Sequence, residues 1–493
     1  MEDVHEVGPG HDGSALVLRW STGGDPSARS LWFDQAEAVD PRPPREPLDG
    51  DTTADVVVVG AGLTGLWTAY YLLEADPALD VLVVERDVAG AGASGRTGGW
   101  YGAGPASAAA RVAAAHGPEA ARSARAALRD AVVEVGGVAA AEQIDADVAV
   151  GGLLTVARTP AQLARLTADA RAARAWGDEV DLLGPDEVAR LVRAPGALGG
   201  ILAPDVGRLQ PVALVRGLVD VLTAHGARVA EGTRALRLSP GAVVTDQGTV
   251  RAPLVVRATG DGAPAGARHA VATAPLVEEV WAALGLRRGV VLADAGHRPV
   301  RALRTADDRL VLSLRSARTP AAPSGQDLAA VLRLQRALAG LLPLGAEAPT
   351  THAWGAALAG GPLPALGFDA DAGLAWADGG GDDGVAAGNL AGRTLAELLT
   401  GGDGALTRLP WVVRGPAGRG PVGRGSVGRG SEGRGSRGLG TGGLGPGGLD
   451  GTAARRLTDR VTGALRDGAA ALADREERVT GRPSRLTGLA GEG

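Results

Sequence analysis

The chain has 493 residues and a formal net charge of −6. That is long enough for two domains or one large discontinuous one, and no basic excess points to nucleic acid or an anionic membrane surface. It has no cysteine, which excludes disulfides and thiolate metal sites; every Lys/Arg position is arginine, so no reaction can draw on a lysine amine.

Residues 1–29 are polar and glycine-rich and predict a disordered lead-in. The start lacks the basic and apolar regions of a signal peptide, and no run approaches the ~20 apolar residues of a spanning helix. A cytoplasmic protein without a membrane span is expected. His5 and His11 read as a stray pair in a polar tail, so no metal is expected there. Ser30, Leu31, Trp32 and Phe33, followed by Pro41, Pro43 and Pro44, read as an anchored segment leading into the first strand.

Residues 56–59 are four valines, as in a strand buried on both faces. They run into Gly60-Ala61-Gly62-Leu63-Thr64-Gly65. The next residues place Leu66, Ala69, Tyr70 and Leu73 on one helical face. A second apolar strand, 81–84, ends in Glu85, about twenty residues past the third glycine. This predicts a dinucleotide-binding βαβ unit. Gly60 makes the tight turn, Gly62 lets backbone N–H groups approach a pyrophosphate, and Gly65 lets helix close on strand. Leu63 and Thr64 start the helix, whose free N–H groups and dipole favour an anion. Glu85 would take a ribose diol, with Arg86 beside it. Glycine fills 78 positions, and the bare pattern recurs at Gly8, Gly90, Gly379 and from Gly418 onward. Only the Gly60 copy has strand, helix and acid in order. The unit alone would also suit NAD.

Ser94-Gly95-Arg96-Thr97-Gly98-Gly99 follows. Together, GAGLTGLWTAYYL and VVERDVAGAGASGRTGGW resemble the D-amino acid oxidase (DAO) superfamily of FAD enzymes, in its gamma-glutamylputrescine oxidase-like branch. The resemblance implies an α/β fold, with a Rossmann-type FAD-binding domain (GR2-like) and a discontinuous α+β substrate domain. It implies that the 94–99 loop passes the pyrophosphate and ribityl chain with its glycines under the flavin ring; Thr97 replaces the usual Asn. It argues for FAD over NAD. The adenine would meet residues after strand 228–232, around Ala235. The strand in 250–260 would end at the dinucleotide with Thr259 and Gly260.

The implied layout assigns 30–110, 200–260 and 351–412 to the FAD-binding domain. It assigns 111–199 (a helical segment, then strand 151–157 and helix 159–176) and 261–350 to the substrate domain. The chain departs from the family after Gly260, where residues 261–271 read as a shortened segment. A hairpin is expected over 301–312, turning at Asp307-Asp308. Residues 373–377 predict a strand, and 385–399 a helix whose start, with Gly384 and Val385, would point at the flavin N1/C2 edge and favour its reduced form. Gly380 replaces an aromatic residue of that loop, and Asp382 a glycine. Residues 413–451 are a Gly/Arg-rich repeat that reads as a linker. No aromatic residue interleaves to stack on bases. From Thr452 a helix is expected with Leu457, Val461, Leu465 and Leu472 on one side, ending in a family-like tail (452–493).

The implied activity is oxidation of a C–N bond of an amine or amino acid by hydride transfer to flavin N5, with hydrolysis of the imine. Such a site needs orientation and a dry face more than a strong base, and no catalytic residue stands out. His269 and His297 fall in the substrate region and read as core or surface. With no cysteine, and no histidine in the 90–100 loop, FAD is expected to be non-covalent. Without lysine the electron acceptor, O2 or another, stays open. The alternative is a protein that binds FAD but has lost turnover and acts as a binding partner, motivated by the segment after Gly260 and by Gly380 and Asp382.

Overall fold

The computed structural model describes residues 30–260, 264–316, 330, 333–334, 336–337, 349–359, 365–380, 384–415, 466–478 and 480–484. The calls on 1–29, His5, His11, Asp382, Leu457, Val461, Leu465 and nearly all of the Gly/Arg repeat lie outside them.

Val56–Val59 is a strand with all four side chains buried. It lies at the centre of a seven-stranded sheet, between Val81–Val84 and Leu254–Arg257 and parallel to both. The outer strands are Arg228–Ala230 on one side and Leu374–Asp378, Ala365–Asp369 and Val412–Arg414 on the other. Both faces are covered, which is why the strands read as unbroken valine runs. Val56 and Val58 face a helical layer built from Leu63–Ala75, Pro118–Ala141, Pro211–Ala224 and Gly384–Leu399. Val57 and Val59 face Val243 and Val250, which belong to a four-stranded sheet of Thr52–Thr53, Thr249–Arg251, Ala242–Thr245 and Ala235–Ser239.

The second large sheet has eight strands. In order they are Thr350–Ala359, Pro264–Thr273, Leu310–Ser316, Val300–Arg304, Val291–Asp294, Leu153–Ala157, Gly199–Ala203 and Asp181–Leu183. Trp100–Gly102 and Val206–Arg208 pair between the two bodies.

After Gly260 the chain forms a ten-residue strand, Pro264–Thr273, paired on both sides, to Leu310–Ser316 and Thr350–Ala359. Several expected boundaries need correction. The boundary at 200 falls inside the substrate sheet, since Gly199–Ala203 pairs with Leu153–Ala157 and Asp181–Leu183. The boundary at 351 does so too, because Thr350–Ala359 is an edge strand of that sheet. The 250–260 stretch is two strands in two sheets, interrupted at Pro253, which has no N–H for a ladder. Pro118–Ala141, placed in the 111–199 segment, packs on the nucleotide body through Leu128, Val132 and Val135. The start of the repeat at 413 falls within the strand Val412–Arg414.

The tail returns to the substrate sheet. Glu477, almost wholly buried, accepts from Arg165 at 2.5 and 2.7 Å, meets His297 Nε2 at 3.0 Å and accepts from the Ser484 N–H at 3.1 Å. Asp474 takes the His297 N–H, and Arg298 pairs with Asp467 at 3.1 Å. Leu472 is 57% exposed; charged side chains and the small Ala470 and Ala473 dock this helix. Among the described residues no helix is long and apolar enough to cross a membrane.

Candidate cofactor site

One cleft of about 1070 Å³ runs along the carboxyl ends of the central parallel strands, where open α/β sheets bind ligands. Of the residues singled out in the sequence, Gly60, Gly62, Leu63, Thr64, Glu85, Arg86, Ser94, Arg96, Thr97, Ala235, Thr259, Gly260 and Gly384 line it. Gly65, Gly95, Gly98, Gly99 and Val385 do not line it.

The glycines behave as the motif demands. Gly60 has φ +109°, and an added Cβ would lie 2.6 Å from the Ala258 carbonyl oxygen. At Gly65 a Cβ would fall 2.0 Å from the Gly60 oxygen, so only glycine lets the helix close on the turn. Helix Leu63–Ala75 begins at Gly62 with no side-chain cap, leaving backbone donors for an anion. Ser94 Oγ accepts the Leu63 N–H at 3.0 Å, which ties the second loop to the start of this helix.

Glu85 sits at the far end of the turn. Its carboxylate accepts from the Ala61 N–H at 2.8 Å and the Asp87 N–H at 3.1 Å. Burial raises its pKa, and those two donors and Arg86 work against the rise. Burial lowers the Arg96 guanidinium, offset in part by Asp87; Arg96 Nε donates to the Ala91 carbonyl at 3.1 Å.

The second helix aimed at the cleft is Gly384–Leu399, whose first residue is on the wall. It crosses Leu63–Ala75 through Gly388, where a Cβ would lie 3.3 Å from Thr64 Oγ1, and Gly392, where it would lie 2.5 Å from Trp67 Cβ. Two glycines one turn apart bring both helix starts to the same cavity.

The opposite wall comes from the substrate sheet: Arg268, Gly355, Ala356, Ala357 and Leu358. Arg268 is 2% exposed and donates from Nη1 to Ser313 Oγ at 3.2 Å. Its guanidinium lies 4.9 Å from the Trp100 ring, and that of Arg301 4.2 Å from the same ring. A Cβ on Gly98 would meet Ser313 Oγ at 2.7 Å, so Ser313 lies between the 94–99 loop and Arg268. Gly98 and Gly99 are therefore flat because Ser313, Trp100 and Trp32 press on them.

Sequence reasoning missed Arg268, Glu231 and the whole wall formed by Phe33, Glu37, Arg42, Pro43, Pro44 and Arg45. Glu231 is buried and accepts from the Ala89 and Arg45 N–H groups, each at 2.7 Å. Its signal was a charged residue directly after a buried strand. His269 is buried within its strand, and His297 belongs to the tail contact. His297, Asp474 and Glu477 could offer three ligands to a metal, but Arg165 already holds that position.

The donor set fits FAD: a glycine cradle, two helix starts, and an acid where an adenosine ribose falls. Gly60, Gly62, the Thr64 N–H and Glu85 would hold it. Among curated proteins, the chain is 32% identical over 222 residues to gamma-glutamylputrescine oxidoreductase of Escherichia coli, covering 43% of this chain and half of that protein's length. It is 29% identical over 386 residues to the probable oxidoreductase OrdL of Rhizobium meliloti, covering 75% and 88%. Glycine oxidase from Bacillus cereus has the same fold at 17% identity, with a TM-score of 0.59 over 73% of this chain and 98% of that one. L-amino acid deaminase from Proteus myxofaciens matches at 15% identity and 0.59, over 76% and 95%. The model of the FAD dependent oxidoreductase family, DAO, matches residues 55–398, more than two thirds of the chain, and the chain belongs to this family.

Proposed function

We propose that the chain oxidises the C–N bond of an amine that also carries a carboxylate. The observation that carries this reading is Arg268, a buried cation on the cleft wall beside Gly355, Ala356, Ala357 and Leu358. A guanidinium in a low-dielectric wall matches a planar anion with paired hydrogen bonds. FAD supplies the two-electron acceptor for hydride leaving the substrate carbon, and water hydrolyses the imine. The protein's own residues bind and orient. Arg268, held by Ser313 Oγ and the Trp100 face, fixes the carboxylate; Gly355, Ala356, Ala357 and Leu358 keep the adjoining wall dry. Orientation of this kind is worth several orders of magnitude in rate without a strong base.

The residue contacts assigned to FAD in the sequence are part of this proposal. Glu85 takes the ribose, Gly60–Thr64 the pyrophosphate, Ala235 the adenine, and Thr97, Thr259, Gly260 and Gly384 the remainder.

The test begins with the visible spectrum and an anaerobic panel of amino acids and of amines lacking a carboxylate. Flavin bands at about 450 nm that bleach with a carboxylate-bearing amine are expected, and air then reports whether O2 accepts the electrons. Arg268→Met should lower kcat/KM for that substrate by roughly 10²–10³. Bleaching by dithionite alone would support the FAD-binding, non-catalytic alternative. A protein that binds no flavin would overturn both readings.

A further inference from the structure

Residues 30–47 lie outside the family match, which starts at residue 55, yet they run the length of the cofactor cleft. Their helix, Leu31–Val39, is anchored at the 94–99 loop. Ser30 Oγ donates to the Gly95 carbonyl at 2.5 Å, and Trp32 Nε1 donates to the Thr97 carbonyl at 2.9 Å. Trp354, from the edge strand of the substrate sheet, donates its Nε1 to the same Thr97 oxygen at 3.3 Å. The two indoles meet edge to face, with centroids 5.8 Å apart. A Cβ on Gly99 would lie 2.4 Å from the Trp32 ring. Trp32 thus covers the back of Gly99 while two donors fix the preceding carbonyl.

The other end of the segment reaches Glu85's side of the cleft. Arg42 and Arg45 both pair with Asp220 at 2.8 Å, and the Arg45 N–H donates to Glu231, which also holds the Ala89 N–H. Leu48 N–H donates to Thr233 Oγ1 at 2.9 Å. Between the two ends, Arg216 binds the Ala36 and Asp40 carbonyls and the Glu37 carboxylate. Phe33, Glu37, Arg42, Pro43, Pro44 and Arg45 then form part of the cleft wall itself.

We propose that residues 30–47 are a clasp with two separable tasks. Trp32 is a positioning residue that sets the Thr97–Gly99 backbone against the redox-active end of the cofactor. Arg42 and Arg45 retain the adenosine end. The assignment of ends follows from Glu85, which takes the adenosine ribose in a βαβ unit and leaves the rest of the dinucleotide to extend past Gly60–Gly62 toward Thr97. The clasp rests on the reading that this cleft holds FAD.

Two variants of the full chain test it, each purified with flavin. Trp32→Phe keeps an aromatic ring at the position and removes the N–H together with the fused five-membered ring. Arg42→Ala combined with Arg45→Ala removes two half-exposed side chains and leaves the Arg45 backbone contact intact. The readouts are the rate of FAD release, followed by recovery of free-flavin fluorescence on dilution, and the midpoint potential and absorption spectrum of the bound flavin. Trp32→Phe should speed release about tenfold, as expected for one lost hydrogen bond in a buried loop, and should shift the potential and spectrum. The arginine pair should speed release by a similar factor with potential and spectrum unchanged. If both variants release FAD within twofold of the parent, with the parent potential, the clasp is refuted while FAD binding stands. A parent protein that takes up no FAD would instead remove the underlying reading. Apo melting temperature reports packing separately: equal losses of stability with unaltered release and potential would make Trp32 merely structural and overturn its assigned task.

Discussion

Alanine at Gly392 tests whether the crossing of the two cleft-facing helices sets the cofactor geometry. In a helix interior, glycine to alanine is normally favourable by about 1 kcal/mol. At Gly392, however, the new Cβ would stand 2.5 Å from Trp67 Cβ and 2.8 Å from the Thr68 nitrogen. Carbon atoms in contact prefer about 3.5–4.0 Å, so the helices must part by roughly 1 Å or strain both backbones. Overpacking of this kind costs about 1–3 kcal/mol, which outweighs the propensity gain. The same change at Gly388 meets only Thr64 Oγ1 at 3.3 Å, Leu63 Cβ and Thr64 N at 3.5 Å, and the hydroxyl can turn away. Gly392→Ala should therefore lower the urea midpoint of the apo protein and weaken FAD binding in fluorescence titration. Gly388→Ala should be neutral or stabilising with parental FAD affinity. If Gly392→Ala proves as stable as Gly388→Ala and binds FAD as tightly, the helix crossing does not set the site.

Asp178 is buried between Arg125, at 2.9 Å, and Arg129, at 2.8 Å. Asp178→Ala leaves Arg125 charged in the interior and should destabilise by about 3–5 kcal/mol; a change under 1 kcal/mol in chemical denaturation would contradict the assigned pairing. Glu85→Gln should weaken FAD binding by roughly 10- to 100-fold, the worth of a hydrogen bond to a charged acceptor. Because burial raises the Glu85 pKa, its ionised form opposes folding increasingly as pH rises above the usual glutamate value. The apo variant should therefore melt no lower than the parent at neutral pH, and a large apo loss would argue for a structural role. Glu477 behaves oppositely. Burial pushes its pKa up, but Arg165, the Ser484 N–H and His297 together hold it below the usual value. Its contribution is present above about pH 4.5 and fades as pH falls through the lowered pKa. Protease cleavage of the tail should rise on acidification below that point, and Glu477→Gln should show the rise already at neutral pH. Parental resistance of that variant would rule out the contact as the tail's anchor.

The nucleotide unit was legible because its signals are local. Four consecutive valines, glycines at 60 and 65 forced by a positive φ or a close carbonyl, and an acid at fixed distance each follow from short-range geometry. The substrate wall was not. Arg268 matters through Ser313 and Trp100, each more than forty residues away, and nothing in its own segment announces those contacts. The exposure of Leu472 was not legible either, since an apolar residue at helical spacing faces water when small and charged neighbours make the contact.

The strand order of the seven-stranded sheet also has a consequence in time. Its two innermost neighbours are complete by Val84, yet Val56–Val59 waits for Leu254–Arg257, and the far edge closes only with Val412–Arg414. At a synthesis rate of about 5–20 residues per second, roughly 20–70 s separate the first strand from the last. During that interval an apolar valine edge stands unpaired on the nascent chain, a template for wrong partners. Expression at lower temperature, or with a chaperone that shields such edges, should therefore raise the soluble yield more than any stabilising change in the finished fold.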